Sequence, residues 1–186
     1  MSGPGGRPGA FLDRDGVLNE AVVREGKPHP PASLGAFRLL AGVEDACAAL
    51  HDAGFVLVVV TNQPDIARGK QQRAVVDQMH EMLREALPID AVYLCDHDDA
   101  DGCACRKPAP GMLVRAAQEL GLDLHRSVMV GDRWRDVEAG RRAGCRTVFI
   151  DRGYAERTPI DPDAVVEDLA AAAAWIASDQ RLGVAP

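Results

Sequence analysis

Two patterns of apolar residues alternate along this chain. The first is a short apolar run that ends in turn residues: GAFLD at 9–13, FVLVVVTN at 55–62, AVYLC at 91–95, SVMVGD at 127–132 and CRTVFID at 145–151. FVLVVV is β-branched and never alternates with polar residues, the mark of a strand covered on both faces. The second pattern has helical spacing. It occupies GVEDACAALHDAG (42–54), QQRAVVDQMHEMLREAL (71–87), PGMLVRAAQELG (110–121), WRDVEAGRRAG (134–144) and an Ala-rich final stretch, DAVVEDLAAAAAWIAS (163–178). Gly54 stops the first of these, and a Pro start and Gly stop punctuate the third. Strand followed by helix, repeated, predicts an α/β fold with a central parallel sheet and right-handed crossovers. No repeat or linker divides it, so one domain is expected over residues 9–180, after a flexible Gly- and Pro-rich start at 1–8.

Composition narrows the function classes. Hydrophobic residues make up 47 % of the 186 and aromatics only 4 %, so the core is built from Val, Leu, Ile and Ala. A net charge of −7 argues against nucleic acid or a membrane surface as partner. MSGPGGRPGA has no apolar stretch of the signal-peptide kind, and the apolar runs are too short to span a bilayer. A cytoplasmic location with reduced thiols is therefore expected. Nothing in the sequence indicates an oligomeric state.

Ligands of open parallel sheets bind beyond the carboxyl ends of the strands, and polar residues collect there. Strand one delivers Asp13 and Asp15, and strand two Thr61, Asn62 and Gln63. Strand three leads through a cysteine-rich loop to Arg106 and Lys107, and strand four delivers Asp132, with Asp136 one turn later. Each motif alone has an ordinary structural use. Asp-x-Asp-Gly is common turn chemistry, Asn62 and Asp132 suit helix caps, and Lys107 suits a solvated loop. In this order they share one mechanism, phosphoryl transfer. A carboxylate attacks phosphorus only when the charges of nucleophile and phosphate are neutralised. Carboxylate oxygens suit Mg²⁺, so Asp13 and Asp132 are expected to hold that ion together with the Asp15 carbonyl. Lys107 and the Thr61 hydroxyl are expected on the non-bridging phosphate oxygens. Asp15 is expected to act as general acid and then base.

CDHDDADGCACRKP carries the second signal. Cys95, His97, Cys103 and Cys105 place three thiols and an imidazole within eleven residues. That set suits a tetrahedral, structural Zn²⁺ with no open position. The loop is too polar to form a core, so zinc would order it and fix Arg106 and Lys107 at the site. Cys47 and Cys145 read as small core residues.

DRDG, VVVTN, RKP and VGDRWRD resemble, in order, the four motifs of the haloacid dehalogenase (HAD) superfamily of phosphatases, across residues 10–155. The resemblance implies a three-layer Rossmann-like fold without a large cap domain. It also implies Asp13 as nucleophile, Asp15 as acid/base, Thr61 and Lys107 as phosphate stabilisers and Asp132 as Mg²⁺ ligand. With its short zinc loop the chain is similar to the subgroup containing heptose bisphosphate and histidinol-phosphate phosphatases. That similarity implies a small sugar phosphate or bisphosphate as substrate, first the 7-phosphate of D-glycero-D-manno-heptose 1,7-bisphosphate. Histidinol phosphate, another small phosphomonoester and phosphotransfer are the alternatives. It places Arg14, Arg24, Asn62, Gln63, Arg106 and Arg133 at the substrate. Two features depart from the heptose enzymes: Pro64-Asp65 stands where Ser-Gly is usual, and EAVVREGKPHPP lacks a tyrosine-containing stretch.

Overall fold

The computed structural model describes residues 5–182. In chain order the elements are β1 (Gly9–Leu12), β2 (Val22–Arg24), β3 (Lys27–His29), α1 (Val43–Asp52), β4 (Val56–Asn62), α2 (Pro64–Ala67), α3 (Arg73–Ala86) and β5 (Ala91–Cys95). They continue as α4 (Gly111–Leu120), β6 (Val128–Gly131), α5 (Trp134–Ala143), β7 (Arg146–Ile150), β8 (Ala164–Val166) and α6 (Leu169–Ser178). Six strands form one wholly parallel sheet in the order β5-β4-β1-β6-β7-β8.

Side chains of successive strand residues face opposite sides, and both sides are covered. Ala10, Leu12, Leu57, Val59, Val128 and Val130 pack with Cys47 and Leu50 of α1, Met79 and Leu83 of α3, and Ile176 of α6. Phe11, Val58, Val60 and Met129 pack with Met112, Leu113 and Ala116 of α4 and Ala139 of α5. The result is three layers with two cores. Each fully buried Val or Leu contributes about 1.5–3 kcal/mol relative to exposure, so β4, buried from Val56 to Val60, is a main source of stability.

The chain leaves β1 towards β4 and β5, then crosses back to β6 on the other side of β1. That reversal opens a crevice at the carboxyl ends of β1 and β6, where open sheets of this kind bind ligands.

Three sequence expectations need correction. The stretch 163–178 is not one helix: Ala164–Val166 adds β8 beside Val148–Ile150, and α6 starts at Leu169. Asp168 caps it, its carboxylate accepting from Ala171 N (2.8 Å). The segment 20–31 is not a plain loop but holds an antiparallel hairpin, β2 with β3. Its tip, Glu25-Gly26, takes positive φ at both residues (51° and 75°), as a tight hairpin turn requires. Finally, of the start expected to be flexible, residues 1–4 lie outside the described residues, and Arg7 is already tied down. Its N–H donates to Gly121 O (3.2 Å), and its carbonyl accepts from Asp123 N (3.0 Å). Between β1 and β4 lie only the hairpin, a 3₁₀ turn and α1, and no inserted domain stands over the crevice.

Candidate active site

Asp13 follows β1 directly, and its N–H donates to Val130 O of β6 (3.0 Å). Asp132 follows β6. Asp136 sits in the first turn of α5, where one oxygen accepts from Arg133 N (3.0 Å). One oxygen from each of Asp13, Asp132 and Asp136 lies within 4.8 Å of the other two, and all three residues are buried. Lys107, 2 % exposed, reaches the same point. Its Nζ donates to Asp13 Oδ1 (2.8 Å), Asp136 Oδ1 (2.7 Å) and Val60 O (2.7 Å). The Asn62 amide holds the Lys107 backbone from both sides: Nδ2 donates to Lys107 O, and Oδ1 accepts from Lys107 N, each at 3.0 Å.

Three carboxylates face one ammonium, so the cluster holds excess negative charge. Burial, aided by Asp136 and Asp15, pushes the Asp13 carboxyl up to about 6 against the pull of Lys107. Burial and the neighbouring Asp13 and Asp136 push Asp132 well above the usual carboxylate range. For Lys107, burial pulls downward, but Asp13 and Asp136 outweigh it and hold the ammonium above its ordinary value. Neither oxygen of Asp132 accepts a well-formed hydrogen bond, and the Tyr154 hydroxyl is a neighbouring donor that only partly offsets its burial. A buried carboxylate with so few donors costs several kcal/mol unless a cation completes it. Clustered carboxylate oxygens fit a hard divalent cation such as Mg²⁺. Gly16 keeps this space open: at φ +88°, a Cβ there would stand 1.9 Å from Asp132 Oδ2.

The remaining site residues divide into those facing the crevice and those behind it. The crevice is lined by Asp13, Asp15, Asn62, Arg106, Lys107 and Arg133. The hairpin residues Lys27 and His29 close one side of it. Arg106 Nε donates to Asp99 Oδ1 (2.8 Å), an oxygen that also accepts from Arg135 (3.1 Å). Arg133 is gripped by Glu156. Thr61, at the carboxyl end of β4, is buried, its hydroxyl oxygen accepting from Gln63 Nε2 (2.9 Å).

Arg14 and Gln63, expected at the substrate, are instead behind Asp15. Arg14 is fully buried and pairs with both Asp15 oxygens (2.9 Å each), while Gln63 is 1 % exposed and donates to Asp15 Oδ2 (2.8 Å). Arg24 lies on exposed β2 and does not line the crevice. Asn62 lines it, but its amide is occupied by the Lys107 backbone. Arg135 and Glu156 join the site without having been expected there, and Asp136, expected one turn after Asp132, pairs with Lys107. Asp136 had a signal, as the second aspartate of GDRWRD; Glu156 had none, because residues 151–163 carry no motif.

The loop after β5 brings Cys95, His97, Cys103 and Cys105 together, with one donor atom of each within 4.8 Å of the rest. Cys95 Sγ lies 3.6 Å from Cys103 Sγ and 3.0 Å from Cys105 Sγ, and His97 Nδ1 lies 3.2 Å from Cys105 Sγ. Four soft donors at the corners of one small polyhedron fit tetrahedral Zn²⁺.

Comparison with known proteins agrees with this architecture. Residues 104–172 match the HAD-hydrolase-like family model. The chain is 39 % identical to D-glycero-D-manno-heptose-1,7-bisphosphate 7-phosphatase of Thermosynechococcus vestitus, over 91 % of this chain and 95 % of that one. It is 38 % identical to the corresponding β-heptose enzyme of Escherichia coli K12, over 84 % of each. In three dimensions it is similar to D,D-heptose 1,7-bisphosphate phosphatase of Bordetella bronchiseptica, crystallised with magnesium and phosphate. That likeness has a TM-score of 0.79 at 34 % identity and covers 91 % and 97 % of the two chains. The parallel sheet, the acidic crevice with its buried lysine and these likenesses agree: the chain belongs to the HAD phosphatases, the family of the heptose bisphosphate enzymes.

Proposed function

We propose that this phosphatase hydrolyses a sugar phosphate through an aspartyl phosphate on Asp13. The first candidate is the 7-phosphate of D-glycero-D-manno-heptose 1,7-bisphosphate, the substrate in the names of relatives 36–39 % identical to it. The observation that carries the chemistry is the under-satisfied, buried Asp132 carboxylate beside the Asp13–Lys107 pair. Asp13, Asp132 and the carbonyl of Asp15 would hold Mg²⁺. When bound, the ion supplies the charge neutralisation that lets one anion attack another. An Asp13 oxygen attacks phosphorus, and the bond to the ester oxygen breaks. Asp15 gives its proton to the leaving alkoxide. Asp15 then takes a proton from water, which attacks phosphorus, releases phosphate and restores Asp13. Lys107 and the Thr61 hydroxyl offset the charge on the transferring group.

The cations on the crevice wall, Lys27, Arg68, Arg106, Arg133 and Arg135, support a substrate with a second anionic group. Zn²⁺ on the four soft donors would order the loop that carries Arg106 and Lys107, and its reduced thiols suit a cytoplasmic enzyme. The test is phosphate release over a panel: both anomers of heptose 1,7-bisphosphate, other sugar mono- and bisphosphates and histidinol phosphate, with and without Mg²⁺. A kcat/KM for a heptose bisphosphate at least tenfold above the rest supports the reading. Preference for histidinol phosphate, or full activity without a divalent ion, refutes it.

A further inference from the structure

Asp15 is held by N–H donors on two sides. Its Oδ1 accepts from Arg14 Nε (3.1 Å), Arg14 Nη2 (2.9 Å) and Asn19 Nδ2 (2.9 Å). Its Oδ2 accepts from Arg14 Nη2 (2.9 Å) and Gln63 Nε2 (2.8 Å). Gln63 differs from the other donors in having a second task. The same nitrogen donates to Thr61 Oγ1 at 2.9 Å. A carboxamide NH₂ carries two hydrogens, so both bonds form at once. A hydroxyl whose oxygen is already accepting directs its own proton elsewhere. Gln63 thereby fixes the place of Asp15 and the direction in which Thr61 donates.

The amide is itself anchored. Gln63 immediately follows β4, its backbone N–H donates to Cys95 O (2.7 Å), and it is 1 % exposed. From the far side Arg14 is braced by α3, with Nη1 at 3.3 Å from His80 Nε2 and 3.9 Å from Met79 Sδ. We propose that Gln63 is a positioning residue for both halves of the reaction. Its single NH₂ group commits the Thr61 hydroxyl to donate to the transferred phosphate and aligns Asp15 with the leaving oxygen. This rests on the assignment of Asp13, Asp15 and Thr61 made above.

The two tasks have separable readouts. An alkyl sugar phosphate needs Asp15 to protonate its leaving group, whereas p-nitrophenyl phosphate expels a stable phenolate. Thr61 serves both substrates and also binds inorganic phosphate. For Gln63→Met, kcat on the sugar phosphate should fall about 10²-fold, the scale of a misplaced acid, and less than about tenfold on p-nitrophenyl phosphate. The inhibition constant for inorganic phosphate should rise several-fold, and adding Thr61→Val should raise it no further, because the two residues act as one unit. Gln63→Glu, equal in size but without the NH₂, should lose at least as much; it serves as the folding control if the Met variant is unstable. Equal losses on the two substrates, wild-type kinetics in both variants or additive effects with Thr61→Val would overturn the proposal. Asp13→Asn is run alongside. If it keeps Mg²⁺-dependent turnover, the underlying assignment fails; if it is inactive while Gln63→Met behaves as wild type, only this inference fails.

Discussion

Gly16 shows how little room this site leaves. Its φ of +88° costs a residue with a side chain about 1–2 kcal/mol on its own, and the added Cβ would stand 1.9 Å from Asp132 Oδ2. The carboxylate that needs a cation is the one displaced. Gly16→Ala should therefore weaken Mg²⁺ binding at least tenfold and lower the melting temperature; titration of Mg²⁺ by calorimetry checks this, and unchanged affinity would refute it. In the proposed mechanism Asp13→Asn removes the attacking carboxylate while keeping its shape, so turnover should fall by at least ~10³-fold, a loss typical of nucleophile removal. Single-turnover phosphate release decides that. Residue identity made Asp13, Asp15, Lys107 and Asp132 legible in the sequence, because their chemistry converges at strand ends. It misled at Arg14 and Gln63. Arg14, between two aspartates in the bend after β1, turns inward to Met79 and His80. The sequence names the charge but not the side on which it lies.

Among the elements, the cysteine loop depends most on something other than packing. Residues 96–104 contribute little apolar area, and Gly111 packs so closely that a Cβ there would lie 2.1 Å from Ala104 O. Three ion pairs tie the loop to the crevice: Asp98 with Arg68 of the segment after β4, and Asp99 with both Arg106 and Arg135. Exposed pairs of this kind contribute about 0–1 kcal/mol each, too little to order a loop of polar residues. Zinc on the four soft donors, as proposed, would be the stronger fastener. Cys103→Ser should lose the metal, open residues 96–104 to proteolysis and reduce kcat/KM by about 10–100-fold. Zinc content by mass spectrometry, read beside kcat/KM, checks it; a zinc-free variant with full activity would refute the role. Local sequence signals were uneven here. Four metal-type ligands within eleven residues are a local pattern and were readable. β8 was not, because Ala164–Val166 runs straight into an alanine-rich helix and its strand state is set by Val148–Ile150 alongside. The hairpin was missed for a similar reason: its turn is Glu25-Gly26, not the Asn-Gly or Asp-Gly that usually marks one. Its packing partner is distant in sequence, with Ala155 N donating to Gly26 O (2.8 Å).

At the scale of the molecule, stability and function pull against each other at the same carboxylates. With Asp13 raised to about 6 and Asp132 raised well above the usual carboxylate range, the folded metal-free protein holds protons that the unfolded chain releases near 4. For such a group the stabilising contribution is complete below the unfolded value and is lost as pH rises through the folded one. Metal-free protein should thus lose stability as pH rises from about 4, through about 6 for Asp13. In the proposed site Mg²⁺ would bind the ionised carboxylates and reverse that loss, so its effect should grow with pH. At a concentration about a hundred times its Kd it adds about 2.7 kcal/mol. For a chain of this size that is a rise of roughly 5–10 °C in melting temperature at pH 7.5. At pH 5, where protons compete for Asp13 and Asp132, the rise should be less than half as large. Asp132→Asn removes the charge but keeps the shape, so it should stabilise the metal-free protein at pH 7.5, abolish the Mg²⁺ shift and abolish turnover. Thermal unfolding of both proteins at the two pH values, with and without Mg²⁺, separates the outcomes. An equal Mg²⁺ shift at pH 5 and pH 7.5, or a metal-free Asp132→Asn protein less stable than the parent at pH 7.5, would show that the carboxylate cluster is not held in tension for a cation.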